Sequence, residues 1–276
     1  MKKTFLLISG ILITLLSFSQ NFKNNPQDPK GMILITGGIY AVEIEPGRTR
    51  DVKVDDFWIS NEISNKEFRK FYEYISNNPT DSITWVDFSK MESDKRTSDD
   101  QTIKPVVVKE AYKDISKKII DLSVSNSIPN KENYFTDSKY DNYPVLGVTW
   151  HGARYYCIWR TNEENKNLKG QDIAFQMDYR LPTQYEWIHV PRVNTDYETE
   201  LHEVNKGEKN ELGLFNMNGN VAEWTSTSGN NDDTESKIVK GYSWKSDSSS
   251  RFTEQVSAEK ATDYIGFRIV KSKLTK

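Results

Sequence analysis

The stretch that most limits how this chain can fold is Gly213-Leu-Phe-Asn-Met-Asn-Gly-Asn-Val-Ala-Glu-Trp-Thr225, where turn-formers, carboxamides, one carboxylate and a large aromatic crowd together. Neither a helix nor a strand accommodates it whole. Gly219 takes φ > 0 at little steric cost, and the flanking Asn side chains can bond their own backbone, so the spacing predicts a tight irregular turn. Leu214, Phe215, Met217, Val221 and Trp224 can anchor that turn in a core. Asn220 and Glu223, with backbone carbonyls freed by the turn such as that of Val221, form an oxygen-only grouping of the kind a hard cation such as Ca²⁺ accepts. Read without a cation, the same two side chains satisfy backbone donors inside a buried loop.

The segment is similar to the Gly-Leu-(Tyr/Phe)-(Asp/Asn)-Met-x-Gly-Asn-Val-x-Glu-Trp hallmark of the formylglycine-generating-enzyme, or sulfatase-modifying-factor, domain family. Other stretches fall in that family's order. Tyr143-Pro-Val-Leu-Gly-Val-Thr-Trp150 resembles its Pro-Val-x-x-Val-(Ser/Thr)-Trp, and Arg180-Leu-Pro-Thr-Gln-Tyr-Glu-Trp187 its Arg-Leu-Pro-Thr-Glu-x-Glu-Trp. Lys240-Gly-Tyr-Ser-Trp244 resembles its Arg-Gly-Gly-Ser-Trp, and Ile265-Gly-Phe-Arg-Ile269 its closing Ile-Gly-Phe-Arg. The resemblance implies a single α+β domain over residues 31–272, a variant of the C-type lectin fold with little regular secondary structure and many loops held by buried aromatics.

Ahead of that domain, Lys2 and Lys3 precede an apolar run from Phe5 to Leu16 and then Ser17-Phe-Ser19. This pattern predicts a cleaved secretory signal over residues 1–19, too short to serve as a bilayer span. A polar lead-in over residues 20–30 follows, with too little apolar content to fold by itself. No cysteine stands near the cleavage point to carry a lipid, and no transmembrane segment is expected after cleavage. The expected location is therefore across the inner membrane, in the periplasm or at the cell surface. From Gln20 onward the chain is long enough for one large domain with a full core. A formal charge of −3 spread without a basic block argues against a nucleic-acid partner. The single cysteine, Cys157, excludes an intrachain disulfide, so the core must hold the fold.

Periodicity places the elements around these motifs. Met32 to Gly38 reads as a short strand ending in a glycine turn and Val52 to Ile59 as a second strand. Ser64-Asn-Lys-Glu67 is a capping box, and Phe68, Phe71, Tyr72 and Ile75 share one face of a helix over about residues 65–76. Thr149 can cap a second helix through about residue 163, with Cys157 on its apolar side as a small inert hydrophobe. Thr183-Gln-Tyr-Glu186 starts a third helix that Pro191 ends, and Arg180 before it reads as an ion-pair residue. Ile238 to Trp244 starts a strand. Tyr264 to Val270 is a closing strand expected to pair with the opening one.

Between Asn77 and Asn142 the sequence turns polar, with possible short extended pieces at Asp81–Asp87 and Val106–Val108. It reads as an insertion, and its aromatics Trp85, Phe88, Tyr112, Tyr134, Phe135 and Tyr140 as interface anchors in a polar surround. On that reading, removing about residues 90–130 leaves the fold intact. The two ends of this stretch resemble the gliding-motility and type IX secretion branch of the family in Bacteroidetes. That resemblance implies envelope or secretion-system proteins as partners.

The chemistry points away from the family's reaction. Oxidising a substrate cysteine to formylglycine with O₂ calls for Cu(I), which selects thiolate ligands. In the active enzymes a cysteine pair follows the Gly-Ser motif, and the matching positions here are Ser246 and Arg251. Neither is a thiolate, so no copper and no catalytic residue carry over. His151, His189 and His202 lack the spacing of an iron triad. Gly-x-Ser-x-Gly, phosphate-loop and dinucleotide fingerprints are missing from the sequence. Two readings remain: a non-catalytic scaffold or binding domain with one Ca²⁺ site, or an oxidoreductase with altered chemistry. Fold class does not separate them.

Overall fold

The computed structural model describes residues 29–45, 48–87, 106–167, 178–192, 200–229, 235–247 and 249–272. The expected leader, most of the lead-in, and Phe88 lie outside these residues. The described elements belong to one body, Gly31–Lys276.

A glycine cuts the first apolar run short. β1 is Ile33–Ile35, and at Gly37 an added Cβ would come within 2.1 Å of the Val54 carbonyl oxygen, so only glycine lets the two backbones pass. The chain then forms a two-stranded antiparallel ribbon, β2 Gly38–Glu45 with β3 Arg48–Val54. Asp55-Asp56 interrupts what the sequence presents as one strand, because the Asp56 carboxylate accepts from Gly37 N at 2.9 Å. β4, Phe57–Glu62, follows with Phe57 and Ile59 buried.

The capping boxes form as their chemistry requires. Ser64 and Glu67 exchange side-chain and backbone bonds at the start of α1, Asn65–Asn77, whose Phe68, Phe71 and Ile75 are buried. Next come the hairpin of β5 Ser82–Asp87 and β6 Val106–Ala111, and two single turns, α2 Tyr112–Ile115 and α3 Leu122–Ser125. α4 is Trp150–Asn167, where Thr149 Oγ1 accepts from Gly152 N at 3.0 Å and donates to Lys118 O at 2.7 Å. β7 Tyr179–Arg180 leads into α5 Gln184–His189, capped by Thr183 and Glu186. The last strands are β8 Ala222–Ser228, β9 Ser236–Lys240, β10 Thr253–Ser257, β11 Ile265–Gly266 and β12 Arg268–Ser272.

Two four-stranded sheets organise the body, in the orders β1-β4-β12-β7 and β10-β9-β8-β11. The closing stretch is therefore two strands, and Phe267 is the joint where the chain leaves one sheet for the other. Phe267 is buried between Phe68 and Tyr156, its ring centroid 6.1 Å and 5.6 Å from theirs. The expected pairing of opening and closing strands does not occur. β4 lies between them, its backbone paired with β1 on one edge and with β12 on the other.

The stretch after Asn77 also departs from its reading as a detachable insertion. Tyr112, Tyr134, Phe135 and Tyr140 are buried, with Ile115, Ile119, Ile120 and Ile128. Their polar neighbours sit on the outer side of single turns, a pattern too short to register as periodicity. Arg69 Nε donates to Phe135 O at 2.9 Å, and Asn65 Nδ2 bridges Tyr134 O and Tyr140 O at 3.1 Å each, binding the segment to α1. Removing residues 90–130 would take Ile115, Ile119 and Ile120 out of the cluster that holds Phe68 and Phe71, and such a variant is expected to lose cooperative thermal unfolding.

Candidate functional site

The central segment does fold as an irregular turn, with its left-handed positions at Gly213, Asn216 and Asn220 rather than Gly219. Asn tolerates that region better than other side-chain-bearing residues. Val221 N donates to Gly219 O at 2.9 Å and closes a three-residue reversal at Asn220. The reversal aims Asn220 inward and starts β8 with Glu223 facing the interior.

Glu223 and Arg268 form an ion pair with side chains 0% exposed. Arg268 Nε reaches Glu223 Oε2 and Nη2 reaches Oε1, both at 2.7 Å. Trp187 Nε1 adds a bond to Oε2 at 2.6 Å. Arg268 also donates to Ser60 O at 3.1 Å and Phe215 O at 3.3 Å, so its planar fork is held on several sides. Beside this pair stands a second buried carboxylate, Glu62, opposite Arg268 in the β4–β12 register. Asn216 Nδ2 and Asn220 Nδ2 both donate to Glu62 Oε2 at 2.8 Å. Burial, and then the charge of Glu223, push the Glu62 carboxyl up to about 8, against a smaller opposing pull from Arg268 and the two amides.

The side-chain oxygens expected to serve a cation already accept hydrogen bonds within the protein. Asn220 Oδ1 accepts from His202 N at 3.0 Å, and both oxygens of Glu223 hold Arg268. Val221 packs with Ile128, Tyr134, Tyr140 and Leu146. Next to the expected set but outside it, Glu62 Oε1 and Asn216 Oδ1 are buried without a protein donor. Among the described residues no three His, Cys, Asp or Glu side chains gather as a metal-ligating group. A cation here would have to rely on carboxamide and carbonyl oxygens beside Glu62. Nothing local in the sequence marks Glu62, Trp187 and Arg268 as partners in one site. The usable signal was a glutamate closing the otherwise core-facing Phe57–Glu62 strand, since such a charge demands a partner.

The positions matched to the family's cysteines lie in a loop of small polar turns. Ser246 Oγ accepts from Ser243 N at 2.8 Å, and Arg251 is exposed. Cys157 is buried on α4 within the cluster of Phe68, Phe71 and Tyr156, and burial pushes its thiol well above the usual range. A thiol in that setting is a poor nucleophile and metal ligand. Arg180 forms the expected ion pair, reaching the two oxygens of Glu186 at 2.7 Å and 2.6 Å.

The sequence matches the sulfatase-modifying factor enzyme 1-like domain over residues 18–199 and again over 189–273. The chain belongs to this family. Among curated relatives it is similar to the inactive C-alpha-formylglycine-generating enzyme 2 of Bos taurus, 28% identical over 148 residues. That match covers 46% of this chain and 49% of the relative. The Mus musculus protein of the same name is 26% identical over 151 residues, covering 47% of this chain and 49% of that one. The matches thus span about half the length of these relatives. Among solved structures, PvdO from Pseudomonas aeruginosa superposes with a TM-score of 0.53 at 14% identity, covering 88% of this chain and 94% of that one. CarF gives 0.54 at 15% identity, covering 89% and 99%. At such identities the superpositions establish shared fold only.

Proposed function

We propose that this chain is a non-catalytic sulfatase-modifying-factor domain, a scaffold or binding protein exported to the periplasm or cell surface, on a variant of the C-type lectin fold. The observation that carries this reading is the state of its sulfur: Ser246 and Arg251 stand where the resemblance puts a cysteine pair, and Cys157 is sealed in the core. One buried thiol cannot supply the two thiolates that a linear Cu(I) centre needs. Relatives named as inactive support the same direction. Envelope proteins, including those of gliding motility and type IX secretion, are the proposed partner class; no described helix is long and apolar enough to cross a membrane. The test incubates the purified protein with Cu(I), O₂ and a Cys-x-Pro-x-Arg peptide. No aldehyde above a Cys157→Ser control is expected, and aldehyde formation dependent on the wild-type chain would overturn the reading in favour of an altered oxidoreductase.

A single Ca²⁺ at the central segment is part of the proposal, with Asn216 Oδ1 and Glu62 Oε1 as the side-chain oxygens in need of a partner. Asn220, Val221 and Glu223 would then hold the turn rather than the ion. Saturating calcium should raise the melting temperature by about 5 °C over a chelator, and Asn216→Ala should remove most of that rise. Superimposable melting curves with calcium and chelator would remove the ion from the account.

A further inference from the structure

Where the β5–β6 hairpin meets the last turns of α1 and α4, the surface holds a cavity of about 560 Å³. It lies in elements that the central polar network does not use, and its reading stands independently of the scaffold proposal. Three aromatic rings form part of its wall. The ring of Tyr74 meets that of Tyr112 edge-on with centroids 5.9 Å apart, and that of Trp159 at a tilt, 6.0 Å apart. Trp159 is fixed from behind by Phe71 and Tyr156, at 5.6 Å and 5.9 Å. Tyr74 and Trp159 are half-buried and line the cavity, and Lys166 Nζ sits over the Tyr74 ring 5.3 Å from its centroid.

The polar part of the wall is arranged in advance. Lys166 Nζ donates to Tyr74 Oη at 3.3 Å and to the Glu163 carboxylate, and Asn162 Nδ2 reaches Thr84 O at 3.4 Å. Asp81 and Lys109 add one charge of each sign to the lining. The cavity therefore presents two cations and two anions, with no excess for a charged ligand to neutralise. A phosphate would be opposed by the two carboxylates of Asp81 and Glu163. An apolar ligand would strip water from Asn162, Glu163 and Asp81 without replacing their bonds. Ring surface beside carboxamide, carboxylate and ammonium groups matches a ligand with an apolar C–H face and a rim of hydroxyls.

We propose that this cavity binds a neutral carbohydrate, with Trp159 and Tyr74 offering the ring surface and Asn162, Glu163 and Lys166 the hydroxyl partners. The full chain, labelled with ¹⁵N, is titrated with cellohexaose, maltohexaose, xylohexaose, mannohexaose and chitohexaose, with inorganic phosphate as the charged comparison. At least one sugar should shift the Trp159 indole and Asn162 carboxamide signals with a Kd of about 0.1–1 mM. Asn162→Ala and Glu163→Ala, both at partly exposed positions and expected to fold, should each weaken it by at least about tenfold, and Trp159→Phe should weaken it while preserving the packing on Phe71. The proposal is overturned if no sugar moves those signals at about 10 mM, if phosphate alone moves them, or if both alanine variants bind as wild type.

Discussion

Arg268→Met is expected to lower the unfolding free energy of the domain by about 3–5 kcal/mol, the largest effect of any single substitution considered for this chain. The guanidinium is fully buried and supplies the positive charge facing Glu223 and Glu62. Removing it strands the Glu223 carboxylate with only the Trp187 indole, and it frees Ser60 O and Phe215 O of a donor. Methionine fills much of the same volume, so the loss reports the charge rather than a hole. The double variant Arg268→Met with Glu223→Gln should recover a large part of the loss, because no unpaired buried charge is left. Urea denaturation at pH 7 measures both. A single variant within about 1 kcal/mol of wild type would show that the pair is not the keystone its geometry implies.

Glu62 should make the domain less stable as the pH rises from 5 to 7.5. Its carboxyl titrates at about 8 in the folded chain against 4.5 for the free side chain. Across that window the folded protein keeps a proton that the unfolded chain gives up, so protonation favours folding. The contribution is fully present below the unfolded value and is lost at about 1.4 kcal/mol per pH unit until the folded group ionises. In chelator, Glu62→Gln should remove this slope, because the amide keeps the shape without the titration. Lys240, whose burial pulls its ammonium down to about 8, adds no slope below that pH, since both states are then charged. His151, held below its usual value by burial, acts in the opposite direction and is common to both proteins. Parallel profiles for wild type and Glu62→Gln would place Glu62 at an ordinary carboxylate value.

Local chemistry was legible where it is local. The capping boxes at Ser64 and Thr183 and the Thr149 cap each involve groups a few residues apart, and each formed as spaced. The closing motif was visible as letters, but not as a joint between two sheets, because the role of Phe267 depends on Phe68 and Tyr156, both far away along the chain. The polar network failed to show for the same reason. Glu62 meets Asn216 across 154 residues and Arg268 meets Glu223 across 45, separations that leave no periodic trace. The aromatics after Asn77 misled in a more instructive way. Tyr134, Tyr140 and Tyr143 pack on one another through ring contacts of 5.3–6.2 Å, each keeping a polar atom near the surface or a carbonyl. Their neighbours are therefore polar although the rings are core.

The position of β12 between β4 and β7 also fixes an order of events in time. During synthesis, β1 and β4 emerge long before Arg268–Ser272 exists, yet their sheet lacks the strand that joins β4 to β7 until then. The same late strand brings the only guanidinium of the network. Until then, the Glu223 carboxylate has no counter-charge. This topology is expected to delay closure of the sheet until the end of synthesis, because the pairing spans long sequence separations. For a chain proposed to be exported across the inner membrane, such a delay would keep the polypeptide open for passage.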